Sequence, residues 1–152
     1  MTRLTRRGAL ALLTAGVAAG PARAKYGEPV YLDGRGHAIR GYDPVAFFTF
    51  EEATLGSLEH ALKTPEGTWL FARADHLSKF RAAPQKYLPQ FGGYCAQGVA
   101  SGFKRISDPT LWVLIDGKIY LHYSIPEQNR WAGDIRGNIA LGEEKWPALR
   151  DL

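Results

Sequence analysis

Leu111-Trp-Val-Leu-Ile-Asp116-Gly117-Lys-Ile-Tyr-Leu-His122 is the stretch from which the fold is read. Two runs rich in β-branched, aromatic and leucine residues flank Asp-Gly, a pair suited to the two positive φ angles of a type I′ turn. The reading is a tight antiparallel hairpin. Its register pairs Leu114 with Ile119 and Trp112 with Leu121 on one face, expected to be the core face. Val113, Tyr120 and His122 then point to the opposite face.

Toward the C-terminus, Ser124-x-x-Glu127 is a capping box with Pro126 in the first turn. Trp131, Ile135 and Ile139 follow at i+4 spacing, which predicts one amphipathic helix laid on the sheet. Gly133, Gly137 and Gly142 weaken it, so close backbone packing or a break near Gly142 is expected. Toward the N-terminus, residues 59–63 and 68–72 flank the turn-prone Thr64-Pro65-Glu66-Gly67, a second hairpin. Asp43-Pro44 opens a short helix carrying Val45-Ala46-Phe47-Phe48. Asp75 is expected to cap another, with Leu77 and Phe80 facing inward and Pro84 ending it. The class is α+β: a small antiparallel sheet with a type I′ hairpin, covered by helices.

At 45% hydrophobic and 22% charged, the 152 residues have the composition of a folded domain rather than a disordered chain. A single cysteine excludes an internal disulfide framework and any C-x-x-C zinc or redox site. The net charge of +4 suggests nucleic acid until its location is examined. Residues 1–24 hold Arg3, Arg6, Arg7 and Arg23 and no acid, and the remainder balances 15 bases against 15 acids. No phosphate-binding stripe remains, so nucleic acid is not an expected partner. The leader itself reads as an export signal: a basic start, an apolar run over 9–20, and the small-x-small site Ala22-Arg23-Ala24. Thr5-Arg6-Arg7-Gly8-Ala9-Leu10 resembles a twin-arginine signal. The expectation is a signal peptide over 1–24 and one mature domain over 25–152. The mature protein would lie in the periplasm, with no membrane span left after cleavage.

Cys95 is the first chemical candidate. It sits in Gln90-Phe-Gly-Gly-Tyr-Cys-Ala-Gln97, where two glycines turn the chain toward an expected helix. A thiolate there would be stabilised by the helix dipole, although a buried packing role suits a cysteine equally. His37, His60, His76 and His122 show no i, i+4 or His-x-His spacing, so a metal site would have to be assembled from distant segments. Nucleophile elbow, phosphate loop, H-E-x-x-H and dinucleotide fingerprints are all missing. A Cys–His dyad built on Cys95 has no evident third group to orient the imidazole.

Several segments together resemble the exported YHS-domain proteins of bacteria. They are Gly41-Tyr-Asp-Pro-Val-Ala-Phe-Phe48, Trp69-x-Phe71, Phe80-x-x-x-Pro84-x-x-Tyr87-x-Pro89-Gln-x-Gly-Gly-Tyr-Cys-Ala96, Asp108-Pro-x-x-Trp112 and Asp116-Gly-Lys-x-Tyr-Leu. The likeness runs from Gly41 to Trp146. The wider family implies transition-metal binding, notably of copper, through a pattern like D-P-V-C-G-M…Y-x-F-C-S-x-x-C-x-x-x-F…P-x-x-Y. Here Asp43-Pro44-Val45, Phe71, Phe80, Pro84 and Tyr87 match, while the three cysteine positions hold Ala46, Ala72 and His76. Exported relatives include selenoproteins, and selenium at the Cys95 position would imply redox or soft-metal chemistry.

The leading expectation is therefore a non-enzymatic module binding a soft transition metal, copper, and passing it to a periplasmic partner protein. Cys95 would anchor the metal, His76 or His122 would supply imidazole, and Tyr94 would donate a hydrogen bond from behind. No organic cofactor is expected. The alternatives are a thiol redox protein that cycles Cys95 and a binding scaffold without chemistry.

Overall fold

The computed structural model describes residues 29–152; the expected export signal and cleavage site over 1–24 lie outside them. Strands β3 (Asp108–Ile115) and β4 (Lys118–His122) form the expected hairpin. Trp112 stands opposite Leu121, Val113 opposite Tyr120, and Leu114 opposite Ile119. Asp116 and Gly117 turn the chain with φ of 51° and 72°, the left-handed pair that a type I′ turn requires.

The register is as read from the sequence, but the division into a core face and an outer face is not. Leu114 is 42% exposed at the turn end, while Tyr120 and His122 are buried. The reason is that β4 runs between two apolar clusters. Ile119 and Leu121 join Ile39, Val45, Phe47, Trp69, Phe71 and Phe80 on one side. Tyr120 joins Phe91, Val99 and Trp131 on the other. Burying a side chain of this size contributes roughly 1.5–3 kcal/mol, so alternate residues hold β4 from both faces.

The second hairpin is a separate two-stranded sheet of β1 (Ser57–Thr64) and β2 (Gly67–Phe71), turning at Pro65-Glu66. Trp69, Leu70 and Phe71 are all buried, so β2 delivers bulk to the first cluster. Six α-helices are present among the described residues, and with the two hairpins they make the α+β class. Helix α1 (Ala46–Thr49) starts where Asp43 Oδ1 accepts from the N–H groups of Val45 and Ala46 at 2.8 and 3.3 Å. Asp75 does not cap α2 (Ala74–Ala82): Arg73 takes that position, and Asp75 pairs instead with Arg73 and Lys79 at 2.8 and 3.3 Å. Pro84 opens α3 (Pro84–Tyr87), and α4 (Ala96–Ser101) begins directly after Cys95.

The single C-terminal helix read from the sequence is two. Ser124 Oγ caps α5 (Ile125–Ala132) by accepting from the Glu127 N–H, as the capping box implies. The chain then restarts at Asp134, whose Oδ1 accepts from the Gly137 N–H at 2.9 Å, to give α6 (Ile135–Leu149). Asp134 is an N-cap hidden inside an otherwise continuous apolar period. Gly142 does not break α6. A Cβ there would lie 2.5 Å from the Phe91 ring, so the glycine lets the helix approach the loop before Cys95. None of the described helices is long and apolar enough to cross a membrane.

Candidate functional site

Two places in the fold gather chemistry. The first is the junction of α1 and α2. Asp43 is fully buried and its carboxylate collects four donors: Val45 N–H, Ala46 N–H, Ala72 N–H at 2.8 Å and His76 Nδ1 at 2.6 Å. Three of these are backbone groups, and two of them, the Val45 and Ala72 N–H groups, have no backbone acceptor, so the aspartate ties the start of α1 to the end of β2. An ionised carboxylate only accepts, which places the His76 proton on Nδ1 and leaves Nε2 facing the Thr49 hydroxyl at 3.0 Å. His76 is 1% exposed, while Thr49 is exposed at the C-terminal end of α1. The Phe50 ring packs on the imidazole, 4.8 Å between centroids.

The second is a cleft of about 260 Å³ lined by the segment 88–92, by Glu143, Trp146 and Pro147 of α6, and by Val30 and Trp69. Leu88, Pro89, Phe91, Trp146 and Pro147 give it apolar walls; Gln85, Gln90 and Glu143 supply polar groups at its edge. The segment is strained. Phe91, a bulky residue, has φ 54° and Gly92 has φ 59°, two consecutive left-handed positions. For a non-glycine residue this costs on the order of 1–2 kcal/mol, and such strain concentrates at functional sites. Gly92 is obligatory there, because a Cβ would collide with the Pro29 carbonyl oxygen, while its own carbonyl accepts from the Tyr31 N–H at 2.8 Å. Trp146 is held by Phe91 and Tyr94, with ring centroids 6.0 and 6.1 Å away.

The residues expected to hold a metal are spread over the fold. Cys95 is fully buried at the head of α4; its N–H donates to the Arg105 carbonyl at 2.9 Å and its backbone bridges Leu121. His76 is buried and has both ring nitrogens engaged by Asp43 and Thr49. His122 packs edge-on against Trp131 at 5.0 Å. Its Nδ1 donates to the Leu111 carbonyl at 3.4 Å, and its buried Nε2 has no partner among the described residues. Burial lowers its pKa to about 4, so the ring is neutral at physiological pH. Tyr94 packs against Tyr31 and Trp146 beneath the Lys104 ammonium, and burial raises its hydroxyl pKa. Among the described residues no three of His, Cys, Asp or Glu converge as a metal ion would need, so Cys95, His76 and His122 do not make one three-ligand set.

Sequence reasoning placed Asp43 at a helix start and within the family likeness, and overlooked Thr49. The signal for Asp43 was its position before Pro44, but its reach to Ala72 and His76 depends on the tertiary fold. Neither Trp146 nor Phe91 is singled out as a site residue by the sequence. The adjacent Phe91-Gly92-Gly93 could have indicated a forced backbone at that point. Comparison of the chain with protein-family models, curated proteins and solved structures finds no match.

Proposed function

We propose that this protein is an exported, YHS-like binding module that holds a small, uncharged, planar apolar molecule in the Trp69–Phe91–Trp146 cleft. The observation that supports this is the strained Phe91-Gly92 backbone, maintained against its cost where three aromatic residues and Leu88 line a concavity. Ligand sites are concave, mostly apolar and furnished with a few polar groups; at about 260 Å³ this cleft falls just below their usual size, which restricts it to a small ligand. Gln90 offers an acceptor for an N–H or O–H group on the ligand. Glu143 pairs with the Lys118 ammonium at 3.5 Å, so the cleft edge offers no unpaired charge to an ionic ligand.

N-phenyl-1-naphthylamine, neutral with one N–H and brighter in apolar surroundings, is a suitable probe. With about 17 non-hydrogen atoms at about 0.3 kcal/mol each, its Kd should be on the order of 0.1 mM. Saturable fluorescence enhancement that Trp146→Ala weakens at least about tenfold supports the reading; enhancement that is equal in the variant, or absent, refutes it.

A soft-metal reading is favoured by one observation, the neutral His122 with its unpartnered Nε2. Titration of Cu(I) against a competing chelator tests it. Stoichiometric binding lost in both His122→Phe and Cys95→Ser would support the pair as ligands, and no binding by the reduced native protein would end that reading.

A further inference from the structure

We propose that Asp43, His76 and Thr49 form a nucleophile relay that accepts an acyl group from small neutral or cationic esters on the hydroxyl of the surface residue Thr49. The geometry is that of a hydroxyl, a base and an orienting carboxylate in series. Oγ1 of Thr49 lies 3.0 Å from His76 Nε2, and His76 Nδ1 lies 2.6 Å from Asp43 Oδ2. Asp43 cannot swing away, because three backbone N–H groups hold its two oxygens. It therefore fixes the imidazole tautomer with Nε2 toward the hydroxyl, the arrangement that activates a weak nucleophile. The base is buried beneath Phe50 and the acid behind it, while Thr49 is a surface residue whose part-buried hydroxyl meets the imidazole at the edge of the fold, the order in which an ester would reach them.

The hydroxyl has one proton and two acceptors, His76 Nε2 and the Val45 carbonyl at 3.1 Å. When the proton points to Nε2, attack can begin. Oγ1 forms a bond to the ester carbonyl carbon as its proton passes to Nε2. The tetrahedral adduct then breaks its bond to the alcohol oxygen, which leaves with the proton from Nε2. Water repeats the sequence on the acyl-threonine, releasing the carboxylic acid and restoring Thr49. His76 is the base, and Asp43 is a positioning residue. Glu51 and Glu52, just past Phe50, are exposed, and their charge disfavours anionic esters over neutral or cationic ones. None of the three relay residues lines the aromatic cleft, so this activity stands or falls apart from ligand binding there.

The test uses p-nitrophenyl acetate with the native protein, Thr49→Val and Thr49→Ser, all followed by nitrophenolate release and by mass mapping of the acetyl group. Thr49 is exposed, so valine of the same shape should leave the fold intact. General-base assistance is worth about 10²–10⁴-fold, so native release should exceed that of Thr49→Val by at least about a hundredfold. The less crowded hydroxyl of Thr49→Ser should match or exceed native. A trapped acetyl on residue 49 in the native and serine proteins, with release rising through the titration of one basic group, supports the relay. Equal release from native and Thr49→Val, or acetyl on lysines alone, overturns it; a purely packing role for Thr49 would give that result.

Discussion

Acidification should weaken this fold through His122, and the size of the effect follows from its surroundings. The ring is fully buried against Trp131, with Nδ1 committed to the Leu111 carbonyl and Nε2 unpartnered. Burial disfavours the imidazolium and brings the folded-state pKa from 6.5 to about 4. Between these values the unfolded chain binds a proton that the folded chain refuses, so stability falls as pH falls. The full window is worth about 3 kcal/mol, of which about 2 kcal/mol is lost between pH 7 and pH 5. His122→Phe keeps a ring against Trp131 and cannot titrate. Urea unfolding of both proteins at pH 7 and pH 5 isolates the term, because every other titrating group is common to the two. Native protein should lose about 2 kcal/mol more than the variant over that interval. Equal losses would show that the His122 environment is more open to water, or more readily paired, than described here.

Other expectations follow from the same geometry. Asp43→Asn replaces an acceptor for four donors with a side chain that must turn an amide N–H toward some of them, and should cost about 3–5 kcal/mol in urea unfolding. A loss below about 1 kcal/mol would remove Asp43 from the centre of that network. Gly142→Ala improves helix propensity by about 1 kcal/mol but drives a methyl into Phe91, so net destabilisation by about 1 kcal/mol is expected. A stabilised variant would contradict that close approach. The Cys95 thiol is buried, so Ellman's reagent should react no faster than the protein opens; rapid stoichiometric labelling of native protein would refute this.

What the sequence disclosed and what it concealed divide along the range of the interactions. The Asp116-Gly117 turn and the register of β3 on β4 depend on neighbours in the chain, and both were legible. The Ser124 cap and the Pro65-Glu66 turn were legible for the same reason. The burial of His122 and Tyr120 was not, because it depends on Trp131 closing over the second face of β4 from another segment. The break between α5 and α6 was concealed by an apolar period that persists through Asp134. At the candidate sites, Cys95 was placed correctly at a helix start, yet its local sequence does not reveal that the start is buried beside β4. His76 was recognised as a donor, but its partners stand 33 and 27 residues away. The cleft was least visible, since aromatic residues in a core and in a binding wall look alike until a backbone such as that at Phe91 separates them.

The central claim is that the cleft binds a ligand, and its most direct test is a ¹H–¹⁵N correlation spectrum recorded during titration with N-phenyl-1-naphthylamine. The account predicts saturable shifts at the Gly92 and Phe91 amides and the Trp146 indole N–H, with Thr49 and the β3–β4 turn unmoved. Shifts scattered over the exposed apolar residues, or confined to the hairpin turn, would contradict it.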